Sequence, residues 1–355
     1  MDSTPEDPTA PGASEPPRQD GPKLVRSQGG GRVYTLNALR EQIEAQFEEE
    51  TAGRDDILAG AGDPAGRRAL LSECANYVLA VESVFLSRAD KVQLIDMAYG
   101  SLFGFGPLEP FLDDDALTEV TIDGPDNIHV RRGFGPMQRA PVYFDDPAHL
   151  RRTVSRALAS VGVQLVDWNY FLEVGIEVHG RPARLGLIAP PISPHLQVEI
   201  RLHPRAPRTL EDLIQGRALS APAARAISGH IAAGRGLLVI GDVGAGKTTL
   251  LNVLGPTFAA LPGRVVAVQR AAELCLPDPV EARAAIPPAD DDPGADFGAQ
   301  IEAALADGCD WLILDEVRDD AAKAAWAALT AAPEGVRAAC GRFAAARNPT
   351  ACAAR

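Results

Sequence analysis

The chain has 355 residues, 46% of them hydrophobic, and a formal net charge of -14, so it is long enough for two folded units with tails and can bury sizeable cores. The acidic balance argues against a surface that neutralises phosphate backbones, and nucleic acid is not an expected partner. Five cysteines without C-x-x-C spacing point to neither a zinc site nor a disulfide frame, and there is no basic-then-apolar leader or membrane-spanning apolar run; a soluble protein of the reduced cytosol is expected, able to dock at the inner face of the cell membrane.

Residues 1–34 are rich in Pro, Gly, Asp and Ser with few large apolar side chains, which predicts a disordered tail. Leu36, Leu39, Ile43 and Phe47 then recur at three- and four-residue spacing, the pattern of an amphipathic helix capped by Thr35. A second helical stretch is expected over 68–101, with Leu71, Tyr77, Val78, Val81, Phe85 and Leu94 as its packing face. Together these make a helical segment, 35–102.

From Leu117 the period changes to alternation. Val120 and Ile122 lead into the turn Asp123-Gly124-Pro125-Asp126, and Ile128 and Val130 lead out of it, which reads as a hairpin. The runs EVGIEVHG, ARLGLIAPP and QVEIRL continue the short-strand pattern, with the helical HLRRTVSRALASVG between them. A small α+β domain with an antiparallel sheet is therefore expected over 103–203, followed by a linker over 204–216. Residues 217–355 alternate helices with buried apolar strands, expected at 237–240, 265–268 and 311–314, so this half is α/β with a mainly parallel sheet. The stretch 287–298 reads as a polar loop, and after Glu316 the chain becomes alanine-rich and helical.

GDVGAGKTT, residues 241–249, follows the apolar run LLVI and precedes an apolar helix start. Gly241, Gly246, Lys247 and Thr248 are in register with G-x-x-x-x-G-K-[ST]. The chemistry requires these residue types. Backbone N–H groups of Gly241, Asp242, Val243, Gly244, Ala245, Gly246, Lys247, Thr248 and Thr249 can curl around phosphates at a helix start, Lys247 can reach the terminal phosphates, and the Thr248 hydroxyl can face Mg2+. ATP and Mg2+ are the expected ligands. WLILDEV places Asp315 and Glu316 at the end of an apolar strand, where carboxylates that hold the metal and polarise water belong. The chain has neither the N-K-x-D guanine-reading motif nor the S-G-G-Q signature of transporter cassettes, leaving the RecA-like group of ring ATPases.

FGFGPLEPFLDDDALTEVTIDGPDNIHV, VEIRLHPRAPRTLEDLIQGRALS, the P-loop, VVAVQRAAELCLPDP and DWLILDEVR occur in that order. In this the chain resembles type II/IV secretion ATPases, particularly the tight-adherence pilus branch, over roughly 36–350. The resemblance implies an oligomeric ring, homo- or hetero-oligomeric and hexameric in the family, under an inner-membrane platform protein, with ATP between the α+β domain and a RecA-like domain. It implies Glu316, Glu273 and Arg201 as catalytic residues and Thr248 at the metal; Asp315, read from its place at the strand end rather than from the resemblance, is expected to join both the catalytic and the metal set. Arg184 is a weaker match than Arg201 for a group facing the terminal phosphate.

The chain also departs from the family. Gln269 and Arg270 stand where an acidic pair is usual, while Glu273 is kept. Ala306 and Gly308 replace arginines. Asp315 replaces a glycine, and Ala345 stands about where a histidine belongs, with the family's last helices missing, so the domain reads as short at its C-terminus. Two readings follow: a motor subunit that hydrolyses ATP, with Asp315 ordering a metal-bound water, or a regulatory ring subunit that holds nucleotide without turning it over.

Overall fold

The computed structural model describes residues 24–28, 31–54, 63–167, 170–242, 244–289, 292–316 and 337–344, the last stretch by its backbone only. The chain divides into two compact units, residues 1–102 and 103–355. Val243, residues 1–23 of the expected tail, and residues 317–336 and 345–355 of the alanine-rich stretch, with Ala345, lie outside the described residues.

In the first unit the end of the expected tail is ordered: β1 (Leu24–Arg26) pairs antiparallel with β2 (Val33–Thr35). Helix α1 (Leu36–Thr51) starts where Thr35 accepts a hydrogen bond from the Ala38 N–H, satisfying one of the donors that a helix start leaves open. Leu39, Ile43 and Phe47 are buried, as are Leu71, Cys74 and Val78 of α2 (Pro64–Val81). The stretch expected as one helix over 68–101 is two, because the chain breaks after Val81 and resumes as α3 (Arg88–Phe103). Ser83, with φ 54°, turns the backbone out of the helix. Tyr77, Val81 and Phe85, expected on the packing face, are exposed, Tyr77 and Val81 on helix α2 and Phe85 after the break, whereas Leu71, Val78 and Leu94 are buried.

The second unit contains two sheets. A short helix α4 (Glu109–Leu112) precedes β3 (Leu117–Asp123), β4 (Ile128–Arg132) and β5 (Gln138–Arg139); α5 (Pro147–Ala159) leads to β6 (Phe171–Val178), β7 (Arg181–Ile188) and β8 (Gln197–Leu202). The six strands are ordered β5-β4-β3-β8-β7-β6, every pairing antiparallel. Alternation places Val120, Ile122, Ile128, Val174, Ile176, Leu185 and Ile200 in one core with Leu150, Val154 and Leu158 of α5, leaving polar side chains on the other face. Arg181 is buried in this half, and its guanidinium donates to the carbonyls of His203 at 3.1 Å, Asp114 at 3.0 Å and Leu117 at 2.7 Å. Burial lowers its pKa.

Within the linker stretch lies a short helix, α6 (Leu210–Gln215), started by a capping box between Thr209 and Asp212. The second sheet is built from β9 (Leu237–Gly241), β10 (Val265–Gln269), β11 (Glu281–Ala284), β12 (Trp311–Leu314) and β13 (Arg337–Ala344), in the order β11-β10-β12-β13-β9, all parallel. Helices α7 (Ala221–Ala232), α8 (Lys247–Val253) and α9 (Gly255–Ala259) supply Ile231, Leu251 and Phe258 to one face, and α10 (Phe297–Ala306) supplies Phe297, Ile301 and Ala304 to the other.

Two expectations change here. Residues 337–344, expected within a helix, form a strand because the slot between β12 and β9 pairs their backbone on both sides, which outweighs the weak strand propensity of alanine. β9, expected to be a buried strand, lies at the sheet edge with Leu238 52% and Ile240 62% exposed. Leu237 and Val239 point to the other face and join its core. The described residues are mixed α and β: a helical N-terminal unit, then a unit that joins a six-stranded antiparallel sheet with its helix to an α/β half built on a five-stranded parallel sheet.

Candidate phosphate and carboxylate site

Because all strands of the second sheet run parallel, their carboxyl ends lie along one edge, the place where such sheets bind ligands. Among the segments that leave that edge are the P-loop after β9, the loop over 270–275 after β10, and Asp315-Glu316 after β12.

The P-loop turns on two glycines in the left-handed region, Gly244 at φ 79° and Gly246 at φ 83°, a conformation that a side chain disfavours. Gly246, the N-cap of α8, has no side chain to cap the helix, and a helix start of this kind suits an anion. Gly244, Ala245 and Gly246 are exposed, Gly241, Thr248 and Thr249 half-buried, and the loop is closed internally by the Ala245 N–H donating to the Asp242 carbonyl at 3.1 Å. Lys247 is buried, and its Nζ donates to the carbonyls of Gly241 and Asp242, each at 2.7 Å. The ammonium is thus carried back from the helix start across the loop it serves.

Glu273, Asp315 and Glu316 are all buried at the same edge. Asp315 bridges strand ends: its Oδ2 accepts the Arg270 N–H at 2.9 Å, and its Oδ1 accepts the Glu316 N–H. Burial pushes Asp315 up to about 7; the charges of Glu273 and Glu316 add to this rise, and the two backbone donors oppose it. Gln269 is buried and accepts the Leu274 N–H at 2.6 Å. Arg270 stacks its guanidinium on Phe297, 4.9 Å from the ring centroid. Gln269 and Arg270 are therefore engaged in shaping the loop and packing it on α10.

Arg184 and Arg201 are register partners on β7 and β8, beside Glu119 on β3. Arg201 pairs with Glu199 of its own strand. Arg184, the weaker match in sequence, is the one that reaches the P-loop half, with Nε 3.3 Å from Glu273 Oε1. It also lies 3.2 Å from Glu173 and 3.7 Å from Glu199.

Three contributors were missed in sequence. Asn252 on α8 accepts the Cys275 N–H at 2.8 Å and donates to the Glu273 carbonyl at 3.3 Å; a lone amide within TTLLNVL was its only signal. Gly175 lies against Ala272, where a Cβ would stand 2.7 Å from the Ala272 Cβ. A glycine inside the strand pattern EVGIEV is the mark of such an approach, whereas nothing local distinguishes Ala272.

For a magnesium ion the available donors are the Thr248 hydroxyl and the buried carboxylates, and P-loop Mg2+ takes few protein ligands. Among the described residues no group of three or more His, Cys, Asp or Glu side chains is spaced to hold a metal by itself. Thr248, half-buried on α8, and Glu316, buried after β12, carry the hydroxyl and carboxylate chemistry that such a site uses. Asp315 fits less well, since both its oxygens already accept backbone donors. Among the described residues no helix is long and apolar enough to cross a membrane.

No family model matches the chain. Two proteins named as conjugal transfer proteins, from two strains of Mycobacterium tuberculosis, are 34% identical to it over 178 residues, 49% of this chain and 50% of each relative. The chain thus spans about half the length of the curated relatives it matches. Among solved structures it is similar to the ATPase DotB of Legionella pneumophila, at 18% identity and TM-score 0.45 over 66% of this chain and 63% of that one. It is also similar to the pilus retraction motor PilT with bound ADP, at 16% identity and TM-score 0.49 over 66% and 65% of the two chains.

Proposed function

We propose that this chain binds MgATP at residues 241–249 and serves as an ATPase subunit of a type II/IV secretion, conjugal-transfer or tight-adherence pilus machine. The observation that carries the reading is the P-loop itself: left-handed glycines, a helix start without a side-chain cap, and a buried lysine folded back over the loop. The conjugal-transfer name of the mycobacterial relatives supports the choice of machine. In this reading Lys247 binds the terminal phosphates, the loop N–H groups cradle them, Thr248 and Glu316 hold Mg2+, and Glu316 orients water. Bound Mg2+ supplies charge neutralisation on the phosphates. Arg201 and Arg184 contribute positive charge from the six-stranded sheet. The subunit works in an oligomeric ring on the cytoplasmic side of a membrane platform protein.

A second reading has its own support. Gln269, Arg270 and Asp315 are all engaged in building the loop after β10, which leaves fewer acidic groups for activating water and favours a nucleotide-holding regulatory subunit. Titration with a fluorescent ATP analogue and steady-state phosphate release decide between them. Both readings expect binding that Lys247→Ala reduces by about 100-fold or more, the loss of charge-assisted contacts worth roughly 3 kcal/mol. The motor reading also expects turnover above the Lys247→Ala background. Binding with turnover at that background leaves the regulatory reading, and the absence of binding removes both.

A further inference from the structure

The loop over 270–275 is held from three directions by the P-loop half. Asp315 accepts from Arg270, Gln269 accepts from Leu274, and Asn252 grips the backbone of both Glu273 and Cys275. Asn252 stands on α8, the helix that begins at Lys247, so a shift of that helix is passed to the loop through one hydrogen bond at Glu273 and one at Cys275.

On its other side the same loop meets the β6–β7 hairpin. Gly175 and Arg184 are directly opposite each other in that hairpin. Gly175 lets the backbone of Ala272 approach closer than any side chain would allow, and Arg184 receives Glu273. Arg184 has carboxylate partners on both sides of this contact. Arg184 keeps Glu173 and Glu199 on its own sheet when Glu273 moves away, so opening does not strand a buried guanidinium without compensation, the usual obstacle to breaking such a pair.

We propose that residues 270–275 are a coupling loop, in which Asn252 positions Glu273 and Glu273 latches Arg184, so that the P-loop helix and the β6–β7 hairpin respond together when phosphate occupies the loop at Lys247. The trigger rests on the phosphate-binding reading above; the latch does not. Glu273 is then a positioning residue between two halves of the unit. The elements form one contiguous chain of contacts from the P-loop helix to the hairpin, the kind of packed and hydrogen-bonded route along which coupling is carried.

Hydrogen–deuterium exchange of residues 171–188 in the full chain, with and without MgADP, tests this. In the wild type MgADP changes exchange in the hairpin. Asn252→Ala still binds MgADP, measured in parallel with a fluorescent analogue, but the hairpin no longer responds. Without nucleotide, Glu273→Gln raises hairpin exchange; should that variant not fold, Arg184→Lys, which keeps the charge and gives up the Nε contact, is read in the same way. A wild type that binds MgADP with a silent hairpin overturns the proposal, as does an Asn252→Ala protein whose hairpin responds like the wild type. If the wild type binds no MgADP, the phosphate reading fails, and the latch is judged on the nucleotide-free arm alone, where unchanged hairpin exchange overturns it.

Discussion

The two sheets of the second unit handle charge in opposite ways. The antiparallel sheet buries one face and carries a row of charges across the other, in which Arg184, Arg201, Glu119 and Arg131 stand in register on successive strands. The parallel sheet buries β10 and β12 on both faces and sends its polar chemistry to the strand ends. Covering both faces leaves no mid-strand position where a charge could stay solvated. The consequence is a division of labour: the parallel sheet positions a ligand through loops, and the antiparallel sheet offers a charged surface to those loops.

The strongest way to break the comparison is Arg181→Leu. It leaves three carbonyls of the antiparallel half without their cationic donor, and a loss of about 3 kcal/mol or more is expected, read as a lower urea midpoint. A midpoint close to the wild type would mean that water replaces the guanidinium and that this buried charge is not structural. Gly175→Ala acts at the meeting of the sheets. Its methyl group overlaps Ala272, and a destabilisation of about 1–3 kcal/mol is expected, accompanied by faster exchange in β6 and β7; a neutral effect would show that the loop yields without cost.

Asp315 sharpens the comparison through pH. In the native protein it holds its proton up to about 7, whereas an unfolded aspartate releases it near ~4. The native state therefore binds more protons between those values, its contribution to stability is full below the unfolded value, and it is lost as pH rises through the native one. Asp315→Asn should flatten that fall in unfolding midpoint across roughly pH 4–7; parallel curves for the two proteins would contradict it. The smallest effect is expected from Thr209→Ala between the sheets, where loss of the capping box should speed amide exchange in α6 and barely move the global midpoint.

Much of the site was legible because its signals are local. The strand, glycine loop and helix of the P-loop are contiguous, Thr35 caps a helix within three residues of itself, and the hairpin turn at 123–126 lies between its own strands. Gln269 and Arg270 were visible as departures, but their work was not: one turns back to Leu274 and the other packs on Phe297, 27 residues further along the chain.

By itself the sequence indicated the amphipathic helix after Thr35, the hairpin around 123–126, the α/β character of the second sheet and the glycine-loop motif of residues 241–249, because periodicity and short motifs act over a turn or a strand. Only the tertiary structure decided that β9 lies at an edge, that residues 337–344 are a strand, and that Arg184 rather than Arg201 meets Glu273. Each of these depends on partners brought together from distant parts of the chain, where sheet pairing and close packing select among side chains that look equivalent along the sequence.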